Sequence, residues 1–203
     1  MIPTPTITRC PWVDPGKPDY VEYHDKEWGV PVHDDRSIFE LLTLEAFQAG
    51  LSWYTILTRR NNFRNAFDGF DPEKVARYEE RKIHELLQNP GIIRNSAKVL
   101  AAVNNAKRFL EVQEQFGSFD AYIWGFIDNR PIVNEIREIA EYPAKSPESE
   151  AISKALRKRG FSFVGPIVCY AHMQATGMVN DHTIYCYRRR EIIEQYKAGS
   201  TSG

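Results

Sequence analysis

The chain is poor in cysteine, with only Cys10, Cys169 and Cys186, an odd number that argues against a framework of disulfides. It has no run of eighteen apolar residues, and its N-terminal MIPTPTITRC lacks the basic and apolar regions of a secretory signal. The expectation is a cytoplasmic protein without membrane contact. Charge of one sign is also missing, since 26 Lys and Arg face 27 Asp and Glu for a net charge of −1. No global positive field therefore marks a polyanion partner, and any such contact must be local. Internal repeats and runs that alternate as strands do are absent too.

What remains is helix signal. In DDRSIFELLTLEAFQAG, Asp34, Asp35 or Ser37 can cap, Ile38, Leu41, Leu42 and Glu45 recur three or four apart, and Gly50 closes the segment. The spacing predicts a second helix through SWYTILTRRNNFRNAF, with Trp53, Ile56, Leu57 and Phe63 inward and Arg59, Arg60 and Asn61 toward water. Asp71-Pro72 opens a short helix, NPG at 89–91 ends the next, and a long one spans 96–116. Ser118 caps SFDAYIWGF, EYPAKSPESE reads as a solvent-exposed loop, and Ser149 opens EAISKALRKRG. Gly165-Pro166 begins a helix through Thr176, and VNDHTIYCYRRREIIEQY reads as one more. The fold class is all-α. Residues 1–8 are expected as a flexible N-terminus, 9–196 as a helical domain of one body or two lobes, and 197–203 as a disordered tail.

Three constellations carry chemistry. His182 and Cys186 stand four apart on the expected last helix, and Cys10 and His24 flank a loop rich in Pro and Gly, so the four can form a Cys2His2 set. Spacing alone leaves open whether they are ligands or buried and surface residues of no such role. If they bind zinc, four protein ligands close the coordination shell, making the ion structural. Glu45 projects from a mostly apolar helix face, either as a buried acid or at the stripe's edge. Around it in sequence crowd Trp12, Tyr20, Tyr23, Trp28 and Trp53, which could be core or could form a pocket for a planar cationic heterocycle. RRN at 59–61, KALRKRG at 154–160 and RRR at 188–190 concentrate positive charge. In GFSFVGP, Gly160 and Gly165 bracket a hairpin whose N–H groups either hold a phosphate or simply turn between helices. His33, His84 and His172 read as ordinary residues and Cys169 as core.

The strings CPW, EYHDKEWGVP, LEAFQAGLSW, NPGIIRN, KALRKRGFSFVGP and VNDH resemble the 3-methyladenine DNA glycosylase I family over about residues 9–187. The resemblance implies an all-helical helix-hairpin-helix glycosylase that flips a damaged nucleotide from double-stranded alkylated DNA and cleaves its N-glycosidic bond. It further implies that Cys10, His24, His182 and Cys186 hold one structural zinc, that Glu45 is the base-recognition and catalytic carboxylate, and that Tyr20, Tyr23, Trp28 and Trp53, with Trp12 at the edge, form the pocket. By the same resemblance Gln48, Gly50 and Leu51 fill the gap left by the flipped base, and Gly160, Phe161 and Gly165 grip the backbone. Ala46 departs from the expected glycine, which would slightly narrow the pocket. Asp181 sits near where many helix-hairpin-helix glycosylases carry a catalytic aspartate, but the resemblance implies a family that works without it, which leaves Asp181 a minor candidate. The expectation is a monofunctional, monomeric enzyme. A zinc-stapled module that binds DNA or a lesion without cleaving it, and a glycosylase of broader alkylpurine range, are the alternatives.

Overall fold

The computed structural model describes residues 7–200, so residues 1–6 and 201–203 of the expected flexible ends lie outside the described residues. The architecture is mostly helical. In chain order come α1 (Pro18–Lys26), α2 (Asp35–Gln48), α3 (Trp53–Leu57), α4 (Arg60–Ala66), α5 (Pro72–Ala76), α6 (Glu80–Gln88), α7 (Ser96–Phe116) and α8 (Phe119–Trp124). A short strand β1 (Ile132–Val133), α9 (Pro147–Lys158), α10 (Pro166–Ala175), strand β2 (Val179–Asn180) and α11 (Tyr187–Ser200) complete the described chain. The last helix runs into the segment expected as a tail.

The central helix is α2, capped by Asp34, whose carboxylate accepts from Ser37 N–H at 2.9 Å. Every residue from Ile38 to Phe47 is buried, so this helix is covered on all sides. Its neighbour Asp35 knits it to two others, accepting from Gln113 of α7 at 2.6 Å and from the Phe119 and Asp120 N–H groups of α8 at 2.8 and 2.7 Å. The main core gathers Phe39, Phe47, Phe63, Phe67, Phe109, Phe119 and Trp124 with aliphatic residues from α2 through α10. A second, smaller cluster of Cys10, Tyr23, Trp28 and Cys186 joins the two ends of the chain, and Trp53 packs against both clusters.

Four local expectations change. The predicted single helix over 52–67 breaks into α3 and α4 at Thr58 and Arg59. Arg60 is not a solvent residue, because its guanidinium bridges Glu27 and Glu40 with only 11% of the side chain exposed. Ser146 rather than Ser149 caps α9, in a reciprocal box that puts Pro147 at the first helical position. The stretch from Val179 is not one helix: β1 and β2 pair in parallel, Ile132 with Val179 and Val133 with Asn180, before α11 begins at Tyr187. Gly177 makes the approach to β2 possible, since it adopts φ +69° and a Cβ there would lie 2.3 Å from the Val30 carbonyl carbon. No helix among the described residues is long and apolar enough to cross a membrane.

Candidate active site

Cys10 from the segment before α1, His24 from the last turn of α1, and His182 and Cys186 from the segment before α11 bring four ligand atoms together. Cys10, His24, His182 and Cys186 are all buried, and one ligand atom from each lies within 4.8 Å of the others. His182 and Cys186 reach this cluster from the turn that follows β2, not from two successive turns of a helix as their spacing suggested. Three sulfur to nitrogen distances are 3.4 Å: Cys10 Sγ and Cys186 Sγ to His182 Nδ1, and Cys186 Sγ to His24 Nε2. A tetrahedral zinc with ordinary sulfur and nitrogen bond lengths has such edges at about 3.5 Å. The outer ring nitrogens are committed elsewhere, His24 Nδ1 to Asp25 at 2.8 Å and His182 Nε2 to the Trp28 carbonyl at 2.9 Å. Asp25 is itself clamped by Arg9, with contacts of 2.7–3.0 Å. Each imidazole is thereby oriented with its other nitrogen toward the sulfurs, the arrangement a metal-binding histidine uses, although His24 Nε2 also accepts from the Cys10 N–H at 3.3 Å. The two thiols share one site, Cys10 being pushed up by its hydrogen bond to Cys186 and by burial, and Cys186 pulled down by Cys10 and then by His182 and His24. The donor set fits a metal ion.

Against this cluster stands an aromatic wall. Trp28 lies edge-on to His182 at 4.7 Å between centroids, and Trp12 edge-on to His24 at 5.3 Å. Trp12 also meets Trp28 at 4.9 Å and Tyr20 at 5.0 Å, while Tyr23 meets Trp53 at 5.3 Å. These five residues, with Glu45, Gln48, Tyr142, Pro143, Ala171 and Gln174, line a cavity of about 260 Å³. Four of its lining residues carry buried polar atoms with no partner in the protein: Glu45 Oε2, Trp12 Nε1, Trp53 Nε1 and Tyr142 Oη. Buried polar atoms are nearly always bonded, so a cluster of exceptions in one cavity marks groups waiting for a ligand. Burial alone raises the Glu45 carboxyl to about 8.

All six pocket residues chosen from sequence therefore meet in one cavity. Tyr142 and Pro143 were missed because EYPAKSPESE reads as polar loop, although an aromatic residue inside it was a usable signal. Ala171 and Gln174 were missed inside an apolar helix, where a small and a polar residue three apart trace one stripe. Ala46 is buried on α2 and is not part of the cavity lining.

The nucleic-acid candidates divide. Gln48 borders the cavity, and beyond it Gly50 at φ +82° turns the chain so that Leu51 is 41% exposed. Lys98 holds this turn from below, its ammonium donating to the Phe47 and Ala49 carbonyls at 2.8 and 2.6 Å. In the turn between α9 and α10, Asn105 clamps Ser162 in both directions, accepting from its N–H at 2.8 Å and donating to its carbonyl at 2.9 Å. Phe161 is buried in the core beside Phe119, whereas Phe163 is exposed. Gly165 caps α10, and Gly160 sits at the start of the turn. Part of the basic charge is spent internally, Arg60 on Glu27 and Glu40 and Arg188 on Glu191. Asp181 is fully buried but lies outside the cavity, accepting from Tyr170, Gln174 and Asn134.

A helical chain that sinks one unpartnered carboxyl into a wall of tryptophan and tyrosine is built as a receptor for a planar, amine-bearing base. Comparison with known proteins gives that class its family. Residues 12–189 match the methyladenine glycosylase family. The DNA-3-methyladenine glycosylase of Haemophilus influenzae is 46% identical over 179 residues, which are 88% of this chain and 96% of that protein. A crystal structure of 3-methyladenine DNA glycosylase I superposes with a TM-score of 0.86 at 45% identity, covering 89% of this chain and 98% of that one. A variant of a 3-methyladenine DNA glycosylase I in complex with 3-methyladenine superposes with a TM-score of 0.83 at 32% identity, covering 85% and 93%. The chain belongs to the methyladenine glycosylase family.

Proposed function

We propose that this protein is a DNA repair glycosylase that flips 3-methyladenine out of alkylated double-stranded DNA and hydrolyses its N-glycosidic bond, leaving an abasic site. The observation that carries the reading is the Glu45 carboxyl, 4% exposed and with Oε2 unpartnered, at the wall of an aromatic cavity. Methylation at N3 makes the base cationic, hence already a good leaving group, so binding and orientation supply most of the catalysis and little acid help is needed. Tyr20, Tyr23, Trp12, Trp28 and Trp53 offer ring faces to that charge. Glu45, the catalytic residue, accepts from the N6 amine, whereas guanine would turn a carbonyl oxygen against the same carboxylate.

On this reading Gln48, Gly50 and Leu51 occupy the gap in the duplex, with exposed Leu51 as the apolar wedge. The helix-hairpin-helix formed by α9, its turn and α10 grips the phosphate backbone through Gly160 and Gly165, with Phe161 supporting the turn from the core. Cys10, His24, His182 and Cys186 hold one structural zinc, which ties the first described residues to the start of α11 and backs Trp12 and Trp28. The protein acts as a cytoplasmic monomer. Incubation with methylated duplex DNA and chromatography of the released bases tests the reading. Release of 3-methyladenine with an abasic product is expected; an intact substrate in the presence of folded protein contradicts it. No lysine lines the cavity, so borohydride should trap no covalent adduct.

A further inference from the structure

We infer that Gln174 is a further specificity-determining residue of the base pocket, and that Asp181 is the positioning residue fixing which end of its amide the base meets. The inference rests on the glycosylase reading of the cavity and deepens it. Gln174 lines the cavity together with Ala171, one turn earlier on α10. Its Nε2 donates to Asp181 Oδ2 at 2.7 Å. Asp181 also receives the Tyr170 hydroxyl at 2.8 Å on the same oxygen and Asn134 Nδ2 at 2.6 Å on the other. A fully buried carboxylate surrounded by three donors only accepts.

That company removes the ambiguity usual for an amide. Turned end for end, Gln174 would set its oxygen against the Asp181 lone pairs, so Nε2 must stay with Asp181. What Gln174 retains for the cavity is its Oε1 and one N–H proton. This is the pair that matches the N6 donor and N7 acceptor along one edge of adenine. Guanine presents an oxygen where adenine has the amine, and would meet Gln174 Oε1 as it meets Glu45, lone pair against lone pair. The N–H held by Asp181 also polarises the amide and makes Oε1 a stronger acceptor. Asp181 never touches the base; the parallel pairing of β1 with β2 brings Asn134 to it and completes the support.

The test is a titration of tryptophan fluorescence with free 3-methyladenine and free 3-methylguanine, using the native protein, Gln174→Met and Asp181→Asn. Trp12, Trp28 and Trp53 line the cavity, so quenching reports its occupancy without requiring the reaction, and failure of excision and failure of this inference are distinguishable. In Gln174→Met the preference for 3-methyladenine should fall roughly tenfold, the weight of one hydrogen bond to the base. Asn at position 181 can donate as well as accept, which frees the Gln174 amide to turn, so Asp181→Asn should also lower the preference with Gln174 intact. A ratio of affinities does not depend on the fraction folded, and melting temperatures accompany it. An unchanged ratio in both variants, with both bases weakened alike, would mean that Gln174 only packs, and would overturn the inference.

Discussion

A carboxyl that keeps its proton up to about pH 8 makes the empty pocket neutral at physiological pH, and a cationic base then draws Glu45 into its charged form. If the ionised form of the free protein is the one that captures substrate, kcat/KM for excision should rise with pH up to about 8 and then level; a profile flat between pH 6 and 8 would assign recognition to another group. The same burial acts on stability. Because Glu45 binds its proton more tightly folded, at about 8, than unfolded, at 4.5, its contribution to stability falls as pH rises between those values. His172 opposes it: wholly buried with neither ring nitrogen partnered, it is held near 4 against 6.5, so its contribution falls as pH drops through that window. Between pH 6.5 and 5 each effect amounts to about 2 kcal/mol. Relative to the native protein, Glu45→Gln should therefore lose that much of its stability advantage on acidification and His172→Leu should gain it, as read from melting temperatures at the two pH values. Glu45 was legible in sequence as an acid on an apolar face, but the missing partner of Oε2 was not, since that depends on Trp12, Trp28 and Tyr142 arriving from elsewhere.

Among the elements, α2 does most to place the chemistry, because one helix carries both Glu45 inside the cavity and Gln48 at its border. At its C-terminal end the Phe47 and Ala49 carbonyls accept from Lys98, which reaches them from the first turn of α7, while the Gln48 carbonyl accepts from the Leu51 N–H. Lys98→Met should cost about 1–3 kcal/mol of stability and weaken excision from duplex DNA while leaving the affinity for free 3-methyladenine unchanged. Equal loss of both would show that the turn through Gly50 and Leu51 has no separate role. Capping residues made most helices readable: Asp34, Asp71 and Ser118 all accept from the N–H groups that their positions imply. The reading failed where tertiary contacts outweigh local pattern. Just after the break between α3 and α4, Arg60 is turned inward by pairing with Glu27 and Glu40, and β2 interrupts the expected last helix because β1 supplies its backbone partners.

At the scale of the whole molecule, the pocket sits between a large core and a small cluster made from the two ends of the chain. The four Cys and His residues close a loop of more than 170 residues, and their imidazole rings pack against Trp12 and Trp28, so on the proposed reading a bound metal would be coupled to pocket shape. Elemental analysis should find one zinc per chain, and chelation should lower the melting temperature and weaken 3-methyladenine binding together. Stripping the metal with neither change would remove the structural role assigned to it. Spacing offered the four residues as one of two readings and the family resemblance favoured it, but their geometry was not legible: His182 and Cys186 meet Cys10 through a strand and a turn, which no periodicity announces.

The central claim is that one buried, unpartnered carboxyl selects the base, and the most direct measurement compares Glu45→Gln with the native protein on methylated duplex DNA, reading released 3-methyladenine and the affinity for undamaged DNA in the same preparation. Release should be nearly abolished with DNA affinity unchanged, because the pocket and not the backbone grip is altered. Parallel losses in both, or a variant that still releases 3-methyladenine at the native rate, would contradict the account.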